Sequence, residues 1–280
     1  MSVENKVTGE FQFDYENEAT IEGRGTGDPN KKDLAAIRLN RCLKAFAALK
    51  PMAKVLEVGC GAGRQARTLK KLRPELLVSG CDLSQRAIDE AQSYKDGVEY
   101  KVSDAGSLPY PNGTFDAVML FDVLEHVPDV QSVVKEVVRV LKPTGIFHGF
   151  IPIEGQPHTL FYRFRESKRL PIATWKRERI GHIQQLTDVG VIQLFAECGL
   201  KTTDKSYSFH LMGQILDIAD YWKRDRLAQP KLPVWRKKPV ELAARLIMFP
   251  TWRLAFYEDN WRKGSKRATG LHLTCKKTQV

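Results

Sequence analysis

The hydrophobic pattern changes period several times along the chain, and each change marks an element. Leu34, Ile37, Leu43 and Phe46 follow a helical stripe over residues 34–49, with Asp33 placed to cap its start. From residue 54 onward, short apolar runs alternate with amphipathic stretches. Residues 54–58, 76–81, 98–102, 114–121 and 145–151 read as strands. The fourth contains FDAVMLF, nearly all apolar, as suits a strand covered on both faces. Residues 64–72, 85–94 and 130–141 read as helices, with Ser84 capping the second and Lys142-Pro143 closing the third. Strands alternating with helices imply right-handed βαβ units and a parallel sheet.

The alternation breaks at residue 152. Residues 152–183 are rich in aromatic and basic side chains, among them Phe161, Tyr162, Arg163, Trp175, Lys176 and Arg177. This connection leaves the C-terminal edge of the fifth strand, where open α/β sheets bind ligands. A helix over 186–198 follows, with Thr187 or Asp188 near its start and Gly199 just past its end; a sixth strand covers 200–209. Leu211, Ile215, Ile218, Ala219 and Trp222 form another helical stripe. Pro230, Pro233 and Pro239 then punctuate a linker containing Arg236-Lys237-Lys238, and a more apolar helix covers 240–249. Trp252, Phe256, Tyr257 and Trp261 crowd the next span, and GLHLTC at 270–275 alternates as a final strand. At the other end, residues 1–30 read as an arm broken by Gly23, Gly25, Gly27 and Pro29. Its Phe11, Phe13 and Tyr15 alternate with polar residues, as in a short strand or a lid. The chain thus divides into an arm (1–33), an α/β core (34–210), a basic, aromatic-rich helical insertion (211–264) and a last core strand (265–280).

Composition changes this picture in two places. With 42% hydrophobic and 28% charged residues, disordered and collagen-like classes are excluded. The five cysteines are odd in number and form no CxxC, so neither a disulfide framework nor a metal site is expected. No signal-like or membrane-spanning apolar run is present, and a reducing cytoplasm fits. Net charge is +11, and residues 211–280 carry 15 Lys/Arg against 6 Asp/Glu. Most of the excess therefore lies in the C-terminal quarter, which suits an anionic surface or substrate; a plain solvated face is the other reading.

The strongest motif is VLEVGCGAG over residues 55–63, a strand entering a glycine-rich turn before a helix. Glycines there allow positive φ and close backbone approach to a ligand, and the helix N-terminus offers free N–H groups to a carboxylate. The GxGxG spacing differs from the GxGxxG dinucleotide fingerprint. Asp82 ends the second strand, where its carboxylate can accept from two ribose hydroxyls. Asp104 and Ala105 end the third strand. Glu57 precedes the turn and orients it or reaches a ligand amino group. Phe121, Asp122, Val123, Leu124, Glu125, His126 and Val127 follow the fourth strand.

At these residues the chain resembles class I S-adenosylmethionine-dependent methyltransferases, in particular the small-molecule branch of ubiquinone and menaquinone biosynthesis. VLEVGCGAGR, GCDLS, VSDAGSLPYPNGTFDAVML, LEHV and VLKPTGIF occur in the family's order, over residues 35–153. The resemblance implies a Rossmann-like, seven-stranded, mostly parallel sheet with helices on both faces, extended here by the helical insertion before its last strand. It implies S-adenosyl-L-methionine as cofactor. Glu57, Gly59, Gly61 and Gly63 would meet its methionine part, with Cys60 packed in the same turn. Asp82 would bind ribose, Leu83 would pack on adenine, Asp104 with Ala105 would hold adenine, and Phe121 or Asp122 would close the site.

Methyl transfer from a sulfonium needs positioning more than a protein nucleophile. A base helps when the acceptor is a hydroxyl or a carbon acid. His182, in GHIQQLT, ranks first and His126 second; His158 lies in the variable stretch after the fifth strand. Each has a structural alternative, and Glu125 with His126 also reads as a brace for the site wall. Aromatics in 152–183 and cations in the insertion together suit a small amphipathic acceptor, O- or C-methylated, and peripheral contact with an anionic membrane. A dimer or larger oligomer is the competing use of the insertion. RNA is a weaker alternative, since no RNA-binding module and no Asn/Asp-Pro-Pro-Tyr motif follow the fourth strand. A non-catalytic partner protein is weaker still, because an intact loop with Asp82 and Asp104 would then have no use.

Overall fold

The computed structural model describes residues 28–228 and 233–278, without the side chains of 234 and 236. The aromatic positions and glycines of the arm up to residue 27, and Pro230 of the linker, lie outside the described residues. Seven strands form one sheet: β1 (Lys54–Val58), β2 (Leu77–Asp82), β3 (Glu99–Val102), β4 (Phe115–Phe121), β5 (Leu141–Pro152), β6 (Leu200–Ser208) and β7 (Gly270–Lys277). Their order is β3-β2-β1-β4-β5-β7-β6. The first five pair in parallel, and β7 runs antiparallel between β5 and β6.

Alternation along each strand divides the core into two layers. In β4, Phe115, Val118 and Leu120 join one cluster, while Ala117, Met119 and Phe121 join the other. The first layer is closed by α4 (Val130–Val140) and α7 (Asp188–Glu197) through Val133, Val137, Val140, Val191 and Phe195. The second is closed by α1 (Leu34–Ala45), α2 (Arg64–Leu72) and α3 (Gln85–Ser93) through Cys42, Ala66, Leu69, Ile88 and Ala91. Helices therefore cover both faces, and a fully buried valine here contributes about 1.5–3 kcal/mol. The caps follow the sequence: Asp33, Ser84 and Thr187 accept from Ala36, Ala87 and Gly190 amides.

Two elements depart from the sequence expectation. The 152–183 connection contains two short helices, α5 (Leu160–Phe164) and α6 (Ile172–Ile180), the latter closed by Gly181 in the left-handed region. Beyond β6, α8 (Leu211–Leu227) packs on one long helix, α9 (Val234–Trp261), which runs through Pro239 and Pro250. Proline removes a donor from a helical turn. Just after Pro250, the Thr251 hydroxyl donates to the Ile247 and Met248 carbonyls at 2.7 and 3.2 Å. What the sequence shows as linker, helix and aromatic run is thus a single rod.

Candidate active site

Parallel strands bring the C-terminal ends of β1 to β5 to one edge. The turn after β1 is held by its own backbone: the Gly59 and Cys60 amides donate to the Cys81 carbonyl at 2.8 and 2.9 Å. Gly59, Gly61 and Gly63 all have positive φ. A Cβ at Gly59 would overlap Val123, and one at Gly63 would overlap Tyr100, so the turn admits no larger residue at either position.

Asp82 ties this turn to the next strand. Its Oδ2 accepts from the Gly61 amide at 2.7 Å and its Oδ1 from the Ser84 amide at 3.1 Å. Beside it Leu83 is 59% exposed, an apolar side chain left open just past the strand end. Asp104 is exposed, and its Oδ1 accepts from the Gly106 amide at 2.7 Å. Ala105 packs partly buried against the first core layer. An anion-seeking helix N-terminus, a carboxylate and an open apolar face thus stand in a row. That donor set fits an amino acid joined to a ribose and a flat base, as S-adenosylmethionine requires.

Glu57 takes a supporting position. It is buried, and its Oε2 accepts from the Ala66 amide at 2.7 Å, fastening the first turn of α2. Burial and the nearby Asp82 push its carboxyl up to about 8, against the pull of the Ala66 N–H. Cys60 is buried, and burial with Glu57 and Asp82 nearby raises its thiol far above its ordinary value, so it is an inert packing group. Phe121 is buried at the end of β4. Asp122 adopts φ 53° and pairs with Arg38 of α1, whose guanidinium lies 3.7 Å from the Phe150 ring centroid.

The segment after β4 meets the segment after α6. The Ile183 and Gln184 amides donate to the Glu125 carbonyl at 2.8 and 3.1 Å. This brings His126 and His182 together, their rings edge to face with centroids 4.8 Å apart. His182 Nδ1 lies 2.7 Å from Glu154 Oε1, and His126 Nδ1 lies 3.2 Å from the Gly181 carbonyl. Both Nε2 atoms stand 3.7 Å from Glu125 Oε1. Burial and His182 hold the His126 imidazole down at about 3, a neutral ring. Burial, with Asp122 and Glu154 nearby, raises the Glu125 carboxyl well above its ordinary value.

Glu154, just past β5, is braced by a buried lysine. Lys176 Nζ donates to Glu154 Oε1 at 2.6 Å and lies 3.1 Å from Asp217 Oδ2 on α8. Burial opposes ionisation of Glu154, yet Lys176 and His182 outweigh it and hold the carboxyl at about 2. Arg38, Glu154 and Lys176 were not legible as site residues. Lys176 sits in the aromatic and basic connection read as lining the acceptor, and only its partners Glu154 and Asp217, distant in sequence, distinguish it from its neighbours. His158 has a positive φ and stands apart from this cluster.

Comparison with known proteins agrees with this geometry. Residues 56–148 match the family model described as a methyltransferase domain. The chain is 32% identical over 117 residues to 27-O-demethylrifamycin SV methyltransferase of Amycolatopsis mediterranei, 40% of this chain and 43% of that protein. It is 36% identical over 110 residues to the ubiquinone/menaquinone biosynthesis C-methyltransferase UbiE of Desulfotalea psychrophila, covering 39% and 45%. A sterol 24-C-methyltransferase of Gibberella zeae is 36% identical over 121 residues, covering 41% and 32%. The chain thus spans less than half the length of these relatives. Among solved structures, phosphoethanolamine N-methyltransferase 2 of Haemonchus contortus, in complex with S-adenosyl-L-methionine, superposes with TM-score 0.59 at 17% identity, over 88% of this chain and 54% of that one. The [4+2]-cyclase SpnF superposes with TM-score 0.58 at 18% identity, over 88% and 82%. At such identities the superpositions speak for the fold alone. With the motifs in order, residues 56–148 match a methyltransferase domain and are similar to those of S-adenosylmethionine-dependent methyltransferases.

Proposed function

We propose that the protein transfers a methyl group to a small amphipathic acceptor, at oxygen or carbon, and works against an anionic membrane surface. The cofactor supplies an activated methyl on sulfur. Asp82, the Gly59–Gly63 turn and Leu83 position it, and Asp104 with Ala105 bounds its far end. The His126–His182 pair handles the acceptor's proton at the Nε2 atoms.

The exposed face of α9 carries the amphipathic reading. Trp235, Leu246, Phe249 and Trp261 are 68%, 68%, 68% and 86% exposed, interleaved with exposed Lys237, Lys238, Arg245 and Arg253. Apolar anchors among cations are what an interfacial helix needs. A groove of about 520 Å³ between α8 and α9, lined by Leu216, Leu227, Met248, Phe249 and Trp252 with Lys223, Glu241 and Arg245 also lining it, has the size of a ligand site and suits an amphipathic chain. Among the described residues no helix is long and apolar enough to cross a membrane. The relatives' names, a rifamycin, sterols and quinones, also point to bulky, ring-bearing acceptors.

Two measurements test this. Cell extract incubated with the protein and methyl-labelled cofactor should carry label in its lipid fraction. Label in RNA, or only in water-soluble material, overturns the acceptor class. Vesicles containing phosphatidylglycerol should sediment the protein, and Lys237→Gln with Lys238→Gln should weaken that binding about 30-fold, at about 1 kcal/mol per cation. Equal binding to neutral phosphatidylcholine vesicles would contradict an anionic surface.

A further inference from the structure

We propose that Glu125, His126 and His182 hold a divalent transition-metal cation at the sheet edge. Glu125 is fully buried, and neither of its carboxylate oxygens has a hydrogen-bond partner among the described residues. A buried carboxylate without a partner is strongly disfavoured. Its charged neighbours Asp122 and Glu154 are of like sign and aggravate this, while Arg38 opposes it. What faces Glu125 Oε1 is an imidazole nitrogen on either side, each at 3.7 Å, too long for a hydrogen bond.

The same three groups have the spacing and orientation of a ligand set. Their donor atoms all lie within 4.8 Å of one another. Ligands on a tetrahedral cation, with bonds of about 2.0–2.1 Å, stand about 3.4 Å apart, so a small inward movement closes the shell. Each imidazole is oriented from behind at Nδ1, His182 by Glu154 and His126 by the Gly181 carbonyl, so that Nε2 turns toward Glu125. A carboxylate or carbonyl behind each histidine is the usual support of a metal-bound imidazole. Lys176 balances Glu154 together with Asp217 and leaves the negative charge of Glu125 for the cation.

Two imidazoles and one carboxylate select zinc, cobalt, iron or manganese over magnesium and calcium, which prefer oxygen shells. Three protein ligands leave a coordination position open, and the His126 side chain, 21% exposed, is the accessible side. A hydroxyl entering that position would lose its proton to solvent more readily, because the cation stabilises the oxyanion. The cation then activates the acceptor in place of proton transfer to the Nε2 atoms; this use rests on the methyl-transfer reading, while the binding itself stands on the geometry.

The full chain, stripped with a chelator, is titrated by calorimetry with zinc or cobalt, and with magnesium for contrast. One zinc or cobalt per chain, cobalt giving a visible absorption band, is the expected result. His126→Ala, at the partly exposed ligand, keeps the fold by thermal melting and weakens binding at least about 100-fold; Glu154→Gln weakens it about 10–100-fold. Binding unchanged in His126→Ala overturns the assignment. Cofactor binding without either cation binding overturns the site and leaves the methyl-transfer reading standing. One cation per chain with no methyl transfer to any extract fraction does the reverse.

Discussion

Asp82→Ala should raise the dissociation constant for S-adenosylmethionine about 100-fold and lower thermal stability modestly, with the fold kept. The carboxylate accepts from the Gly61 and Ser84 amides at 2.7 and 3.1 Å, and is only half-buried. Hydrogen bonds to a charged group are worth about 1.5–3 kcal/mol each, and about 2.7 kcal/mol corresponds to 100-fold. Alanine loses the link between the glycine turn and β2, together with both acceptors offered to the ribose. Asp82→Asn keeps the shape and half the acceptors, so its loss should be about tenfold. Calorimetric titration with the cofactor decides: wild-type affinity in the folded alanine variant would remove Asp82 from the ribose site.

The second large effect is on stability. Asp259, near the end of α9, is fully buried and accepts three hydrogen bonds. The donors are the Phe209 amide at 2.8 Å, the His210 amide at 3.1 Å and His210 Nδ1 at 2.6 Å. His210 Nε2 reaches the Ser265 carbonyl at 3.1 Å, so both ring nitrogens face acceptors. Next to it, Glu258 accepts from the Met212 amide at 2.7 Å, at the start of α8. One acidic pair thus clamps the end of α9 to the β6–α8 junction. Leaving a buried donor without its acceptor costs about 1–3 kcal/mol, so three abandoned donors are a large share of a typical total of about 5–15 kcal/mol. Asp259→Ala should therefore lower the melting temperature by on the order of 10 °C. A shift within about 2 °C would mean that water satisfies the abandoned donors and that the clamp carries little.

How much of this was legible beforehand differs by element. The central strands were readable because burial on both faces makes them mostly apolar, as in Phe115–Phe121, where Asp116 is the one polar residue. The cofactor edge was readable because its chemistry is local: a turn needing three positive-φ glycines, and carboxylates at or just past adjoining strand ends. The long helix α9 was not, because Pro239 and Pro250 argue locally for breaks. Packing against α8 outweighs that local preference. The place of Glu57 just before the glycine turn was readable, but its hydrogen bond to the α2 backbone depends on where the helix returns after the turn.

The amino-acid sequence by itself determined the α/β alternation, the order of the cofactor-binding segments and the concentration of positive charge after residue 210, because each depends on neighbours a few positions apart. Only the tertiary structure decided that Glu125, His126, Glu154, Lys176 and His182 form one buried cluster. Their partners stand between 22 and 57 positions apart in the pairs Glu154–Lys176, Glu154–His182, His126–Gly181 and Glu125–His182. No local pattern distinguishes Lys176 from the exposed cations around it, or Glu125 from a wall residue. The parallel sheet does so, by bringing the ends of β4 and β5 to one edge and folding α6 back across them.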